Sequence, residues 1–307
     1  MRVLVTGAYG FVGRHMTREL RAAGHTPIRM SGPCEDVPDA DTQADILDLA
    51  SLIRAVEKTT PDACVHLAGM AFVPAAAKNP ALTFEVNTVG TMHLLQAFQQ
   101  AAPQSRILVV TTSQIYGNRD TTTALPETYP SAPENLYAVS KLAADTASLM
   151  VARQQHMHVM TARPHNHIGP GQSRDFVISA FAHQLAEMAD GTSEPVMQVG
   201  NLESRRDFLD VRDVTRAYRM LLEKGKSGEA YNIASGELLQ IQTVLNILAQ
   251  AAGVEPKIVI NPDFFRPTDS STLLDCSKIK KTIGWERSIS LEQSLRDVLA
   301  DVRPSSR

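Results

Sequence analysis

The chain has 307 residues, 43% hydrophobic and 21% charged, which is long enough for one large domain or two smaller ones and too apolar for disorder. A formal net charge of −3 leaves no global field to draw nucleic acid or an anionic membrane, so any anion must be met by a few placed residues. The cysteines, Cys34, Cys64 and Cys276, have neither disulfide-framework nor metal-ligand spacing, so no metal is expected and a reducing, cytoplasmic compartment is.

The N-terminus runs straight into an apolar run at residues 3–5, and no apolar stretch approaches the ~20 residues of a membrane span. Further short runs at 26–30, 63–67, 107–111 and 159–162 alternate with helical patterns at 11–23, 81–101 and 137–155, the first of which stops at Gly24. Strands buried on both faces and separated by crossover helices make a parallel sheet. The fold class is therefore α/β, a Rossmann-like doubly wound parallel sheet. After Pro164 the texture changes. Gly169-Pro170-Gly171 breaks the chain, a helix at 176–188 ends at Asp190-Gly191-Thr192, and helices at 210–222, 241–252 and 291–302 surround a strand at 230–233. We expect residues 1–165, with a return segment at 207–236, to form a dinucleotide-binding domain, and residues 166–206 and 237–307 to form a smaller interleaved α/β substrate domain.

Gly7-Ala8-Tyr9-Gly10-Phe11-Val12-Gly13 follows the first strand and opens the first helix. In that context Gly7 permits the tight turn, Gly10 lets backbone approach a pyrophosphate, and Gly13 lets helix and strand pack closely. The N–H groups around Phe11 and Val12 are then offered to the anion. The second strand should end at the group that reads the adenosine ribose, which falls on Ser31. No carboxylate stands there to repel a 2′-phosphate, so NADP(H) and NAD(H) both remain open. Arg29, two residues earlier, reads equally as a phosphate partner or a solvated strand residue. Asp45-Ile46 either contacts the adenine edge or starts the turn before the next helix.

Tyr137 and Lys141 are four residues apart, on one face of a helix, where both reach a common site. A free phenol is a poor acid or base at neutral pH, and an adjacent ammonium with a positive nicotinamide would bring it toward neutrality. Thr112-Ser113-Gln114-Ile115-Tyr116-Gly117 lies at the end of the strand at 107–111, where such a sheet presents groups to a ligand crevice. Thr112 can bond a substrate oxygen beside Tyr137.

These motifs, with His66-Leu67-Ala68-Gly69 and Asn87-Thr88-Val89-Gly90-Thr91, resemble the extended short-chain dehydrogenase/reductases that act on nucleotide sugars, over nearly the whole chain. The resemblance implies that Leu67, Ala68 and Gly69 line the cofactor together with Tyr9, that Asn87 supports the active site, and that Arg163-Pro164 borders the nicotinamide. His66 reads as closing a strand. The segments Arg163 to Gln172, Val199 to Glu203, Arg205 to Phe208 and Arg266-Pro267-Thr268-Asp269 are most similar to reductases and dehydratases of GDP-sugars. By that similarity, Arg206 and Arg266 supply fork-like bonds to a diphosphate, Asn166 bonds a phosphate or sugar oxygen, and Ser113, Gln114, Val177, Gly200, Asn201 and Asp269 line the sugar site. His165 departs from the family's usual aromatic.

In dehydratases of this kind a glutamate occupies the position of Gln114, and an amide cannot serve as a carboxylate base. That leaves reduction of a 4-keto group or 4-epimerisation of a UDP-hexose, with a catalytically silent dinucleotide sensor as the reading from another class. The intact Thr112, Tyr137 and Lys141 set opposes the last. The helices at 81–101 and 137–155 carry Leu94, Leu95, Phe98, Leu142, Ala143, Ala147 and Leu149. These residues either pack on the sheet or, as the resemblance implies, the outer faces of the two helices pair in a four-helix homodimer interface.

Overall fold

The computed structural model describes residues 1–33, 37–119, 123–264 and 272–303. At its centre is a seven-stranded sheet in the order Ala230–Ile233, His158–Pro164, Arg106–Val110, Ala63–His66, Arg2–Thr6, Thr26–Ser31 and Thr42–Gln43. Every pairing is parallel. The expected strands are present, each end within two residues of its predicted place. Chain order reverses between Arg2–Thr6 and Ala63–His66, and sheets of this kind bind ligands outside the carboxyl ends of the strands at such a reversal.

Alternating side chains explain the two covered faces. Val3 and Val5 pack with Met16, Leu20, Tyr218 and Leu221 beneath the helices Phe11–Ala22 and Val211–Lys224. Leu4 and Ile28 pack with Leu52, Val56, Leu94 and Phe98 beneath Leu49–Thr59 and Gly90–Ala101. The helix expected at 81–101 is three pieces: Pro80–Phe84, a π turn at Glu85–Val89, and Gly90–Ala101. Leu94, Leu95 and Phe98 are at most 1% exposed, so they face the sheet and cannot belong to an outer surface. The long helix Leu136–Gln155 is capped by Asn135, whose side chain accepts from Ala138 N.

A separate core joins Ile178, Phe181, Leu185, Val244, Leu248, Leu295 and Val298 from the helices Val177–Ala189, Ile241–Ala252 and Leu291–Val302. With the parallel pair Val196–Val199 and Lys257–Ile260, this is the smaller α/β layer. The pairs Asn166–Ile168 with Phe208–Asp210, and Arg205–Arg206 with Leu239–Gln240, were not anticipated, nor was the helix Ser277–Ile283. They are too short for a sequence period to declare itself. Among the described residues no helix is long and apolar enough to cross a membrane.

Candidate active site

The first strand delivers its chain end into a turn that only bare backbone can make. Gly7 has φ of +66°, and a Cβ there would lie 3.0 Å from Ala68 N. One on Gly13 would lie 2.1 Å from the Gly7 oxygen. Gly10 N donates to that oxygen at 3.2 Å and caps Phe11–Ala22 without a side-chain bond, so the first helical N–H groups are left for an anion. The Phe11 ring stacks on His167 and meets His15 edge-on. This cradle of bare backbone and orphan donors fits a dinucleotide pyrophosphate.

Where the adenosine is expected, Ser31 is buried at the close of its strand. Arg29 is half-buried and already paired. Its guanidinium bonds the Asp39 carboxylate at 2.6 Å and Asp41 at 3.0 Å, and lies 5.7 Å from the Tyr9 ring centre. Asp45 starts the turn, its Oδ1 accepting from Leu47 N at 2.8 Å. Ile46 packs so closely on Gly90 that a Cβ there would meet its Cγ1 at 2.8 Å.

Thr6 shapes the opposite wall. Its Oγ1 accepts from Leu67 N and Ala68 N, both at 3.1 Å, and lies 2.8 Å from His66 Nδ1. His66 Nε2 is 3.1 Å from Thr91 Oγ1. Burial, with help from the Lys141 charge, pushes His66 down to about 3, so it is a neutral strut. Asn87, inside the π turn, accepts from Met70 N at 2.9 Å and donates to Met70 O and to Ser140 Oγ at 3.0 Å. Its amide is therefore engaged with protein, holding the loop after Gly69 against the helix that carries Tyr137.

Tyr137 and Lys141 occupy the first two turns of Leu136–Gln155, and both are buried. Thr112 caps the 3-10 turn Ser113–Tyr116, its Oγ1 accepting from Gln114 N at 3.2 Å. That leaves the Thr112 hydrogen for the Tyr137 hydroxyl, with which it bonds. Lys141 Nζ donates to Val110 O at 3.1 Å, and a Cβ on Gly69 would stand 3.1 Å from it. The three residues predicted from separate motifs are thus brought together. In the free fold burial dominates both groups. Burial pushes Tyr137 up to about 12, opposed only by the Thr112 bond, and pushes Lys141 down to about 8.

Arg163 does not border the crevice. It is buried, paired with Asp145 at 2.6 Å and bonded to Tyr116 Oη and to Glu127 O, while Pro164 ends the strand. His165 Nε2 lies 2.6 Å from Thr272 O and its Nδ1 2.7 Å from Ser113 Oγ. A carbonyl only accepts, so Nε2 carries the hydrogen and Ser113 donates to Nδ1. Gln114 is half-buried and accepts from Asn135 Nδ2 at 3.0 Å.

Farther out, Asn166 Nδ2 donates to Asp207 O, and Asn201 Oδ1 accepts from Glu203 N at 3.0 Å. Arg206 is half-buried in its short ribbon. Gly200 sits where a Cβ would lie 2.3 Å from Phe264 O. Val177 begins its helix, exposed, beside Phe176, whose ring is 5.8 Å from that of Phe72. Arg266 and Asp269 lie outside the described residues, as does Cys34. Sequence reasoning missed Thr6, Asn135 and the Ser113–His165 pair. Only Asn135 left a local signal, a capping residue one position before a helical run.

The family described as GDP-mannose 4,6 dehydratase matches residues 4–298. The chain is 39% identical over 304 residues to the GDP-6-deoxy-D-mannose reductase of Pseudomonas aeruginosa, covering 98% of this chain and 96% of that one. The structure superposes on that of RMD from Pseudomonas aeruginosa complexed with NADPH with a TM-score of 0.89 at 36% identity, over 98% of both chains. It superposes on a Thermus thermophilus UDP-glucose 4-epimerase complexed with NAD at 0.87 and 27%, over 99% and 100% of the two chains.

Proposed function

Since the chain belongs to the GDP-mannose 4,6-dehydratase family, within the extended short-chain dehydrogenase/reductases, we propose that it reduces the 4-keto group of a nucleotide-linked 6-deoxy sugar. The substrate is GDP-4-keto-6-deoxy-D-mannose, the product GDP-D-rhamnose or its C4 epimer, and the cofactor NADP(H) or NAD(H). The observation that carries this reading is the convergence of Thr112, Tyr137 and Lys141 beside the glycine turn, with an amide, Gln114, where elimination would need a carboxylate. The P. aeruginosa relative's name and its NADPH complex support the sugar and the cofactor.

When bound, the reduced dinucleotide supplies the hydride to C4. Tyr137, held as a neutral phenol, gives its proton to the oxygen that becomes the new hydroxyl. Thr112 adds a second hydrogen bond to that oxygen. Lys141 holds the ribose and stabilises the phenolate left behind. Gln114 takes no proton, which keeps the sugar from losing water. Gly7, Tyr9, Gly10, Phe11, Val12, Gly13, Ser31, Asp45, Ile46, Leu67, Ala68, Gly69 and Pro164 surround the dinucleotide, and Asn87 braces its wall. Ser113, Gln114, Asn166, Val177, Gly200, Asn201, Arg206, Arg266 and Asp269 receive the nucleotide sugar, within a substrate domain of residues 166–206 and 237–307.

The enzyme works as a cytoplasmic homodimer in this reading. Leu82, Val89, Leu136, Val139 and Met150 are exposed along Pro80–Ala101 and Leu136–Gln155, an apolar surface suited to a four-helix contact. The test incubates the protein with GDP-4-keto-6-deoxy-D-mannose and NADPH or NADH, following loss of reduced-nicotinamide absorbance, beside a UDP-glucose arm. Consumption of the keto sugar is expected. Epimerisation of UDP-glucose without it would overturn the proposal in favour of the epimerase.

A further inference from the structure

The polarity of Gln114 is set by a chain of hydrogen bonds that begins in the backbone. The N–H of Ala138 can only donate, and it lies 2.8 Å from one polar atom of the Asn135 side chain, which must therefore be Oδ1. The other polar atom of Asn135 is then its NH2, which donates to Gln114 at 3.0 Å. Gln114 must meet that donor with its oxygen. Its own NH2 group is left with no protein partner among the described residues, on a half-buried residue whose backbone N–H donates to Thr112, the side chain that meets the Tyr137 hydroxyl. The cap of the helix Leu136–Gln155 thus fixes which end of the Gln114 amide points away from it.

We propose that Asn135 is a positioning residue that turns the Gln114 amide so that its NH2 group donates to an acceptor oxygen of the bound keto sugar. The proposal rests on the reductase reading and deepens it, since it assigns to one side chain the recognition of the sugar's oxygens. A wrongly turned amide would face that oxygen with its own oxygen, and two acceptors in a dry site repel.

Asn135→Asp separates this role from capping. Aspartate caps a helix as well as asparagine does, but as an acceptor-only group it cannot donate to Gln114. The Gln114 amide then turns its NH2 toward the introduced carboxylate and its oxygen toward the sugar. The expected result, measured on the whole protein with GDP-4-keto-6-deoxy-D-mannose, is kcat/KM about tenfold lower, mostly through KM, with melting temperature and dinucleotide affinity unchanged. Asn135→Ser, which caps but is too short to reach Gln114, serves the same comparison should the aspartate variant fold poorly. In a Gln114→Ala background either change should have no further effect. Retention of kcat/KM within twofold, or the same loss with and without Gln114, overturns the proposal. Absence of keto-sugar turnover in the unaltered protein refutes the reductase reading itself, a result distinct from turnover that ignores Asn135.

Discussion

Replacing Lys141 by methionine should make the free protein more stable while removing its activity. The ammonium is buried and, among the described residues, its only protein hydrogen bond runs to Val110 O at 3.1 Å. Burial lowers it from the ordinary lysine value of 10.5 to about 8. At about 1.4 kcal/mol for each pKa unit, holding the cation there costs the free protein roughly 3 kcal/mol at neutral pH. Losing the bond to Val110 returns about 1 kcal/mol of that, leaving a gain of about 2 kcal/mol. Below pH 8 folded and unfolded chains both carry the proton, so the cost is present in full. Between 8 and 10.5 the folded chain releases its proton first and the cost fades; above 10.5 it is gone. Urea denaturation of both proteins at neutral pH and again near the upper limit of that window measures this directly. A variant no more stable than the parent at neutral pH, or one whose advantage persists when lysine is neutral in both states, would refute the argument that desolvation dominates this site. Turnover of the keto sugar should fall at least about a hundredfold in the same variant.

Tyr137→Phe should lower kcat by about 10²- to 10⁴-fold while dinucleotide affinity, read by fluorescence titration, stays within a few-fold; full activity would exclude the phenol as the acid. Asp145→Ala removes the carboxylate that accepts from Arg163 at 2.6 and 3.1 Å and from Thr111 at 3.1 Å, leaving a buried guanidinium unpaired. A loss of about 3–5 kcal/mol is expected in denaturant titration, and a loss below 1 kcal/mol would show that water reaches the pair. Val139→Lys places a charge in the exposed apolar strip and should shift the proposed homodimer to monomer by light scattering, whereas a parent that is already monomeric, or an unaltered mass, would refute this interface.

Most of the sheet was legible because its strands carry apolar runs closed by glycine, proline or a polar turn, and residues 230–233 were read to the residue; the edge strand Thr42–Gln43, two polar residues, was not. The pairing of Tyr137 with Lys141 was legible for a similar reason, since helical spacing places residues four apart on one face. What spacing does not carry is access to water. The same two residues gave the expected geometry but not their burial, because the depth of Leu136–Gln155 against the sheet is a tertiary property. Contacts across the sheet were hidden too. Arg163 meets Asp145 across 18 positions because the helix Leu136–Gln155 packs on the strand His158–Pro164, and His165 meets Ser113 across 52 because Arg106–Val110 and His158–Pro164 lie side by side in register. The apolar residues of 81–101 were visible, but their phase was not. The π turn at Glu85–Val89 resets which residues face inward, leaving Leu82 and Val89 exposed and Leu94 and Phe98 buried.

The proton inventory of the site supplies the donors that reduction of a carbonyl needs. Tyr137 is a phenol pushed up to about 12, so at neutral pH it holds its proton and is a donor. Thr112 has a hydroxyl hydrogen, Lys141 an ammonium at neutral pH, and Gln114 an NH2 group turned away from Asn135. None of the four is a base at that pH. A carbonyl oxygen that acquires charge as hydride reaches its carbon needs such donors, already in place and shielded from water, and gains most from them as the charge develops. Abstraction of a proton from carbon, or from a sugar hydroxyl in an oxidative half-reaction, needs an acceptor that these side chains provide only after the phenol has been ionised against its burial. Reduction uses these donors in the protonation state in which the free fold holds them.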